Sequence, residues 1–396
     1  MADPRYEEPG RSLAELTTIG VGGEPYRMLE AATETELAAA ATTVFAGGDA
    51  WLLLGGGSNT VASDEPFDGT VIRVMTRGIE QLGAGDGPDT VRLRVQAGES
   101  WDDLVALAVA NRWSGIEALS GIPGSVGAAP VQNIGAYGQE LSSVLVAIDF
   151  IDAATGQRRR IEASELELGY RTSVLKRGLA GVVLAVELDL VAQQDVPGAA
   201  LSAPVVYPQL ADALGVALGT SVSLGELRRT VLRLRASKGM VLDAGDPDSR
   251  SAGSFFTNPV VTEQFARSLP AESPRWPFGS DEPDLVAALD APSAEQSESV
   301  GLLAAAAAAR TRRAAQNPRL VKLSAAWLIE HVGIGRGFAL PDSGAAISSK
   351  HTLAIVNRGD ASAQDIASLA GYVQARVQSE FGVMLQPEPV LVGLDL

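Results

Sequence analysis

The sequence contains no cysteine, and only two of its 396 residues are histidine. Without cysteine there are no disulfides, thiolate metal ligands or cysteine nucleophiles, and the composition suits a reducing compartment such as the cytoplasm. With His331 and His351 alone, a histidine-rich metal site is not expected. We therefore predict that the protein binds no metal.

Positive charge is also scarce. The chain carries 31 Lys and Arg against 48 Asp and Glu, a formal net charge of −17, which disfavours a nucleic-acid partner. No apolar run reaches the ~18 residues of a membrane span, and the first ten residues lack the basic and apolar regions of a signal peptide. We expect a cytoplasmic monomer that does not insert into membranes.

The length and the 46% apolar content favour a globular protein of two or three domains. Short strand and helix patterns alternate without regular βαβ spacing, which predicts an α+β fold. We place boundaries near residues 72 and 237, giving segments 1–72, 73–237 and 238–396. Residues 262–318 are rich in Pro, Ser and Ala, which is typical of a partly mobile insertion.

The dominant motif is a glycine-rich stretch from Ser120 to Glu140, SGIPGSVGAAPVQNIGAYGQE. Glycine lets a ligand approach the backbone closely. No Lys or Arg lies between Arg112 and Arg158, so a phosphate held here would depend mainly on backbone N–H groups. Taken alone, the stretch fits a pair of tight turns equally well.

A second glycine loop, Gly55 to Asn59, follows the apolar run Trp51–Leu54, a pattern typical of a strand entering a tight loop. It too lacks nearby cations. Two such loops fit one extended ligand that carries a diphosphate. Neither loop has the GxGxxG pattern at a helix start, which disfavours a Rossmann fold.

Several helices are predicted from capping and periodicity. Thr33 with Glu36 forms a capping-box pattern, and Ser100 precedes an apolar helical run. Apolar residues repeat at helical spacing over Leu224–Ala236 and again over Ser362–Phe381.

Together these motifs resemble the UDP-N-acetylenolpyruvoylglucosamine reductases, also called UDP-N-acetylmuramate dehydrogenases. The resemblance rests on the two glycine loops, Tyr170-Arg171, the stretch Gly253–Pro259 and Pro387-Glu388, in that order. It covers nearly the whole chain apart from 262–318. It implies a two-part, non-Rossmann FAD-binding region of the vanillyl-alcohol-oxidase type (PCMH type), followed by an α+β substrate-binding domain.

The resemblance also implies the chemistry. NADPH reduces non-covalently bound FAD, and flavin N5 then passes hydride to C3 of UDP-N-acetylglucosamine enolpyruvate while a proton reaches C2. This reaction forms UDP-N-acetylmuramate for peptidoglycan. Ser254 resembles the proton donor of the family, and Arg171 and Glu388 resemble the pair that stabilises the enolate-like intermediate.

The remaining site residues follow from the same resemblance. Tyr207 resembles the tyrosine of a lid loop found in one subclass, while Lys238, Asn258 and His331 fall where the family contacts substrate. His331 is a departure, since some relatives carry Gln there. The cofactor-binding residues that the motifs imply are Leu54, Gly55, Gly56, Gly57, Ser58, Asn59, Ser120, Gly121, Ile122, Pro123, Gly124, Gly127, Gln132, Asn133, Gly135, Ala136 and Tyr137.

Two other functions compete with this one. An oxidase with the same flavin fold would commonly link its flavin to His or Cys, and neither glycine loop contains either residue. A non-catalytic module that binds nucleotide sugars would need neither flavin nor Ser254.

Overall fold

The computed structural model describes residues 11–87, 89–193, 198–279 and 319–396. They form two compact units: unit 1 comprises the chain up to Phe255 together with Gly335–Gly371 and Pro387–Leu396, and unit 2 comprises Phe256–Ile334 and Tyr372–Gln386. The predicted boundaries at 72 and 237 fall inside unit 1, so the three-part division stays a prediction. Among the described residues, none of the helices could cross a bilayer.

Helices and strands are interspersed along the described parts of the chain. The α-helices are α1 Leu13–Leu16, α2 Glu34–Gly47, α3 Trp101–Ala110, α4 Pro208–Leu214, α5 Leu224–Ala236, α6 Glu263–Ala266, α7 Ala325–His331 and α8 Ala363–Phe381. The strands are β1 Pro25–Ala31, β2 Trp51–Leu54, β3 Thr60–Ala62, β4 Phe67–Val74, β5 Ile79–Ala84, β6 Thr90–Gln96, β7 Trp113–Ser114, β8 Gly135–Ala136, β9 Gln139–Glu140, β10 Leu145–Asp152, β11 Arg158–Glu162, β12 Gly181–Ala192, β13 Val260–Thr262, β14 Arg275–Phe278, β15 Leu320–Leu323, β16 Ala345–Ile347, β17 Ile355–Asn357 and β18 Val390–Val392.

Unit 1 begins with a parallel three-stranded sheet of order β1-β4-β2. Helix α2 covers it and opens with the expected capping box, in which Thr33 accepts from the Glu36 amide and Glu36 accepts from the Thr33 amide. Leu37, Ala41 and Val44 of this helix are buried in one apolar cluster with sheet residues. Strand β2 of this sheet ends at Leu54, and the glycine loop Gly55–Asn59 follows it directly.

The second sheet of unit 1 is antiparallel, of order β11-β10-β12-β6-β5. Strand β6 alternates in burial: Val91, Leu93 and Val95 are buried, while the residues between them are half-buried. Helix α3, capped by Ser100, packs its apolar side into the same core. The long glycine stretch follows α3 and passes over this core as a 3₁₀ helix, Val126–Gln132.

Two small strand pairs in unit 1 contain segments from the C-terminal part of the chain. Strand β18 lies parallel to β3, so the C-terminal segment reaches the second glycine loop. Strands β16 and β17 pair as a hairpin, and Ser251 bridges to Val356 of β17. Strand β17 begins only at Ile355, because the Ala354 amide closes a turn onto His351 O directly before it.

Unit 2 contains an antiparallel sheet of order β13-β15-β14 with helices α6 and α7. Its strands β13 and β14 fall within or next to the predicted insertion 262–318, and Ala266 and Leu269 are buried there. Residues 262–279 therefore include regular structure, α6 and β14, within the segment that the sequence predicts to be a partly mobile insertion. Residues 280–318 of the predicted insertion lie outside the described residues.

A partly exposed charge network joins α2 to the antiparallel sheet within unit 1. Glu34 accepts from Arg94 at 2.9 Å, from Arg158 at 2.7 Å and from Gln96 at 2.8 Å, while Asp149 accepts from both arginines. Burial opposes the ionisation of Glu34, but these hydrogen bonds outweigh it and lower its pKa to about 2.

Replacing Glu34 with Gln should destabilise the protein in a pH-dependent way. The folded-state pKa lies below the ordinary value, so the stabilisation is present above pH 4.5 and is lost as the pH falls toward 2. Because solvent screens part of the network, we expect the free energy of unfolding to fall by about 1–2 kcal/mol at pH 7. Urea unfolding at pH 7 and pH 4 measures it. The matched control is Glu80→Gln, an exposed carboxylate on β5; an equal effect at both positions would contradict the prediction.

Candidate active site

Unit 1 contains a cavity of about 480 Å³ between the two glycine loops and the antiparallel sheet. The loops supply a continuous backbone wall, and the predicted cofactor residues on it are Gly55, Gly56, Gly57, Ser58, Asn59, Ile122, Pro123, Gly124, Gly127, Gln132 and Gly135. Arg171, Ser254 and Glu388 also line it. Segments more than 300 residues apart in the chain thus meet around one space.

The two glycine loops touch each other through their backbones. A Cβ placed on Gly56 would lie 2.8 Å from Gly124 Cα, which is closer than side chains pack. Gly124 also has φ of 118°, a region that glycine adopts without strain. Ser58 Oγ joins the loops further by donating to Pro123 O at 3.0 Å. Glycine is required here for close approach as well as for conformation.

The opposite side of the cavity is largely apolar. It is formed by side chains from β2, β4, β10 and β12 and from the segment after Arg171, namely Trp51, Leu53, Val74, Phe150, Val182, Val183, Leu175 and Leu179. A concave apolar wall with a few polar groups is the usual form of a site for a flat organic ring.

Cations reach the cavity from elements other than the glycine loops. Arg235, near the end of α5, lines it together with Lys176 and Arg171. The Nε of Arg235 is buried and has no hydrogen-bond partner among the described residues, although its Nη2 donates to Met240 O at 3.0 Å. Burial lowers the pKa of Arg235, but a guanidinium stays charged in proteins. A site that local sequence suggested was free of cations therefore holds them.

Arg171 and Glu388 form an ion pair at the cavity wall, with Arg171 Nε 3.3 Å from Glu388 Oε1. Arg171 has φ of 53°, an unfavourable conformation for a long side chain. Its guanidinium donates to Gly135 O at 2.9 Å, and this contact with the glycine stretch holds it. Strained residues fixed by their surroundings are common at functional sites.

Ser254 is positioned by backbone pairing on both sides of the following residue. The Phe255 amide donates to Leu353 O at 2.7 Å, and the Glu388 amide donates to Phe255 O at 2.8 Å. These bonds bring Ser254 and Glu388 to the same cavity. Ser254 Oγ also lies 3.5 Å from His351 Nε2, a contact that the sequence did not predict.

Six predicted cofactor residues do not line the cavity, and each has a structural contact instead. Leu54 is buried in the core beneath the first sheet. The Ser120 hydroxyl donates to Glu117 O at 2.6 Å, and the Gly121 amide donates to Asp102 Oδ1 at 2.6 Å. Asn133 donates to Glu140 and to Gly169 O. Ala136 pairs with Gln139 in the β8–β9 hairpin.

Tyr137, the sixth, belongs to a small cluster with two predicted substrate residues. Its ring meets Tyr207 edge-to-face at 5.7 Å, and Lys238 Nζ lies 5.8 Å from its centre. Tyr207 is 43% exposed and directly precedes α4. Lys238 donates to Gln209 Oε1 at 2.9 Å, and burial lowers the pKa of Lys238, as does the nearby charge of Arg235.

The other two predicted substrate residues belong to unit 2. Asn258 Oδ1 accepts from the Ala325 amide at 2.9 Å, at the start of α7. His331, at the end of the same helix, stacks on Trp327 at 3.7 Å and bonds Trp327 O through Nδ1. Their roles toward substrate stay predictions.

Several cavity residues were missed by the sequence analysis. Most of the apolar wall comes from strand residues and from the segment after Arg171, which carry no motif. Arg235 was given no role from the sequence, although its helix was predicted. Lys176, five residues after Arg171, was given no role either. Among the described residues, no cluster of acidic side chains and histidines is arranged to hold a metal ion.

The residues present fit a flavin dinucleotide. A flavin ring needs a flat apolar slot, and the diphosphate needs backbone N–H groups or cations. The cavity offers apolar side chains, glycine-rich loops with exposed backbone, and Arg235 with an unpartnered buried nitrogen among the described residues. Fold and site together define a flavoprotein of α+β fold.

Comparison with known proteins assigns the family. Residues 25–162 match the model of the FAD binding domain, and residues 246–392 match that of the C-terminal domain of UDP-N-acetylenolpyruvoylglucosamine reductase. The chain is 61% identical to the UDP-N-acetylenolpyruvoylglucosamine reductase of Leifsonia xyli subsp. xyli, over 97% of this chain and 99% of that one. It is 42% identical to that of Salinispora arenicola, over 97% and 95%. The chain belongs to the UDP-N-acetylenolpyruvoylglucosamine reductase family.

A solved structure agrees with this assignment. The crystal structure of the reductase from Thermus caldophilus superposes with a TM-score of 0.57, covering 98% of this chain and 99% of that one at 24% identity. The likeness confirms the fold over the full length.

The contact between the glycine loops should be necessary for FAD binding. Gly56→Ala forces the backbones apart at Gly124, so we expect FAD affinity to fall by at least about 10-fold, the effect of losing one or two backbone contacts. Visible absorbance of the purified protein measures FAD content. Gly371→Ala, a helical position with no atom within 4 Å of the added Cβ, is the control and should keep its FAD.

Acid precipitation should release all flavin from the parent, and a coloured pellet would contradict non-covalent binding.

Proposed function

We infer that this protein catalyses the NADPH-dependent reduction of UDP-N-acetylglucosamine enolpyruvate to UDP-N-acetylmuramate in peptidoglycan synthesis. The observation that carries this inference is the meeting of Ser254, Arg171 and Glu388 on one cavity that fits FAD. The reductase names of its full-length relatives support it. We further propose that it acts in the cytoplasm as a monomer, in three domains bounded near residues 72 and 237.

When bound, FAD supplies the redox chemistry, taking a hydride from NADPH and passing it to C3 of the enolpyruvyl group. The reaction builds negative charge on the substrate carboxylate as C3 is attacked. Arg171 supplies parallel donors for that charge. Glu388 orients the guanidinium through the 3.3 Å contact and balances its charge before substrate arrives.

Ser254 is the proton donor to C2 in this proposal. A serine hydroxyl is a weak acid, so it protonates only a strongly basic carbon held close to it. His351, 3.5 Å from Ser254 Oγ, lies where a group could return a proton to the hydroxyl after each turnover.

The glycine loops bind FAD, with the wall residues from Gly55 to Asn59 and from Ile122 to Gly135 in direct contact. Leu54, Ser120, Gly121, Asn133, Ala136 and Tyr137 support those contacts through the bonds and packing described above. Tyr207 and Lys238 bind the substrate diphosphate, with Tyr207 on a lid that packs edge-to-face on Tyr137. Asn258 and His331 keep the substrate-contact roles that the family resemblance implies.

Ser254→Ala should separate the two half-reactions. NADPH oxidation does not need the serine proton, so bleaching of the flavin should keep close to its parental rate. Reoxidation by the enolpyruvyl substrate should slow by ~10²–10⁴-fold, the usual loss for a positioned general acid. Stopped-flow absorbance measures both halves, and Ser254→Cys should recover part of the rate. Equal slowing of both half-reactions would mean that Ser254 shapes the site and does not deliver the proton.

Tyr207→Phe should raise the KM of both substrate and NADPH by several-fold while leaving the flavin spectrum unchanged, because the lost hydroxyl serves only the ligand that the lid covers. Steady-state kinetics measures this. Tyr26→Phe, a tyrosine that is 83% exposed, is the matched control. Unchanged KM values in Tyr207→Phe would remove the lid assignment.

A further inference from the structure

A row of polar side chains links Lys176 to the Arg171–Glu388 pair. Lys176 Nζ donates to Gln132 Oε1 at 3.2 Å, and Gln132 Nε2 donates to Glu388 Oε1 at 3.1 Å. Arg171 Nε approaches the same carboxylate oxygen at 3.3 Å. All four residues lie on the cavity wall. The Gln132 amide, assigned to cofactor binding from the sequence, is therefore engaged on both of its ends.

We propose that Lys176 is a positioning residue of the reaction, which fixes the Gln132 amide with its NH₂ group toward Glu388 and thereby holds the Glu388 carboxylate as an anion facing Arg171. This inference rests on the role proposed above for Glu388.

The chemistry of an amide explains how Lys176 sets the orientation of the Gln132 side chain. A glutamine amide has a donor end and an acceptor end, and its two orientations differ only in which end faces which neighbour. An ammonium group can only donate, so Lys176 selects the orientation in which Oε1 faces it. The donor end must then face the Glu388 carboxylate, which can accept from it. Without Lys176 the amide is free to turn, and its oxygen would then face a carboxylate oxygen that has no hydrogen to donate.

Lys176 is electrostatically linked to both members of the ion pair. Burial lowers the pKa of Lys176, the Glu388 carboxylate opposes this by raising it, and Arg171 lowers it. Arg235 from α5 lines the same cavity and its charge interacts with Arg171.

The first test is a double-mutant cycle on the FAD-loaded enzyme. Lys176→Met and Gln132→Leu should each lower kcat by about 10- to 100-fold, the scale of one hydrogen bond to a charged group. The double variant should be no slower than the slower single variant, because both changes break one linkage. Lys176→Arg, which can donate to the same oxygen, should recover most of the rate. Arg177→Met is the control, since the adjacent cation pairs with Glu167 and should keep parental turnover.

Multiplied losses in the double variant would overturn the inference, because Lys176 would then act without Gln132. A change in KM alone, with kcat kept, would overturn it as well and assign Lys176 to ligand binding.

The second test does not depend on turnover. In holoenzyme labelled with ¹⁵N-glutamine, the side-chain NH₂ signal of Gln132, identified by its loss in Gln132→Leu, should shift in Glu388→Gln, which changes its acceptor, and in Lys176→Met, which frees the amide to turn. Arg177→Met should leave the signal in place. An unchanged signal in Lys176→Met would overturn the inference. If Glu388→Gln keeps parental turnover, the proposed role of Glu388 fails, while this signal still decides whether Lys176 controls the amide.

Discussion

The site depends on the close approach of two glycine loops. Gly56 and Gly124 bring two backbones within a distance that leaves no room for a Cβ, and this contact forms one wall of the cavity. The loops belong to different sheets of unit 1, so the same contact also joins the parallel sheet to the antiparallel core. A side chain at Gly56 would push the Gly124 backbone away, while at Gly124 a side chain would meet the Ser58 hydroxyl and would have to adopt a φ of 118°. Glycine therefore serves close approach at the first position and backbone conformation at the second.

The catalytic groups are held by a different kind of constraint. Arg171 adopts a left-handed backbone conformation and is retained by the Gly135 carbonyl and by Glu388. Glu388 reaches it because β18 pairs with β3 and because its own amide bonds Phe255 O. The chain has to complete its C-terminal strand before the ion pair exists, so the site forms only when the whole of unit 1 has folded.

The charge distribution of the cavity follows from this assembly. The glycine loops contain no cation, and the protein as a whole is strongly acidic, yet Arg171, Lys176 and Arg235 converge on the cavity. Positive charge is thus concentrated where an anionic cofactor and an anionic substrate must bind. In a protein of net charge −17, this local concentration supplies attraction that the surface as a whole does not.

Sequence alone determined the features that local physics controls. The capping box at Thr33, the alternating burial of β6 and the two ends of α5 depend on neighbours within a few residues. The two glycine loops can be recognised from composition, because the glycine residues themselves give the backbone its conformational freedom. The family resemblance added the triad Arg171, Ser254 and Glu388. Tertiary structure alone decided that Arg235 enters the cavity, that Gln132 turns between Lys176 and Glu388, and that Leu54 and Ser120 face away from the cavity. The contacts of Gln132 join segments 44 and 256 residues apart, and no local pattern encodes which distant side chain a folded chain brings alongside.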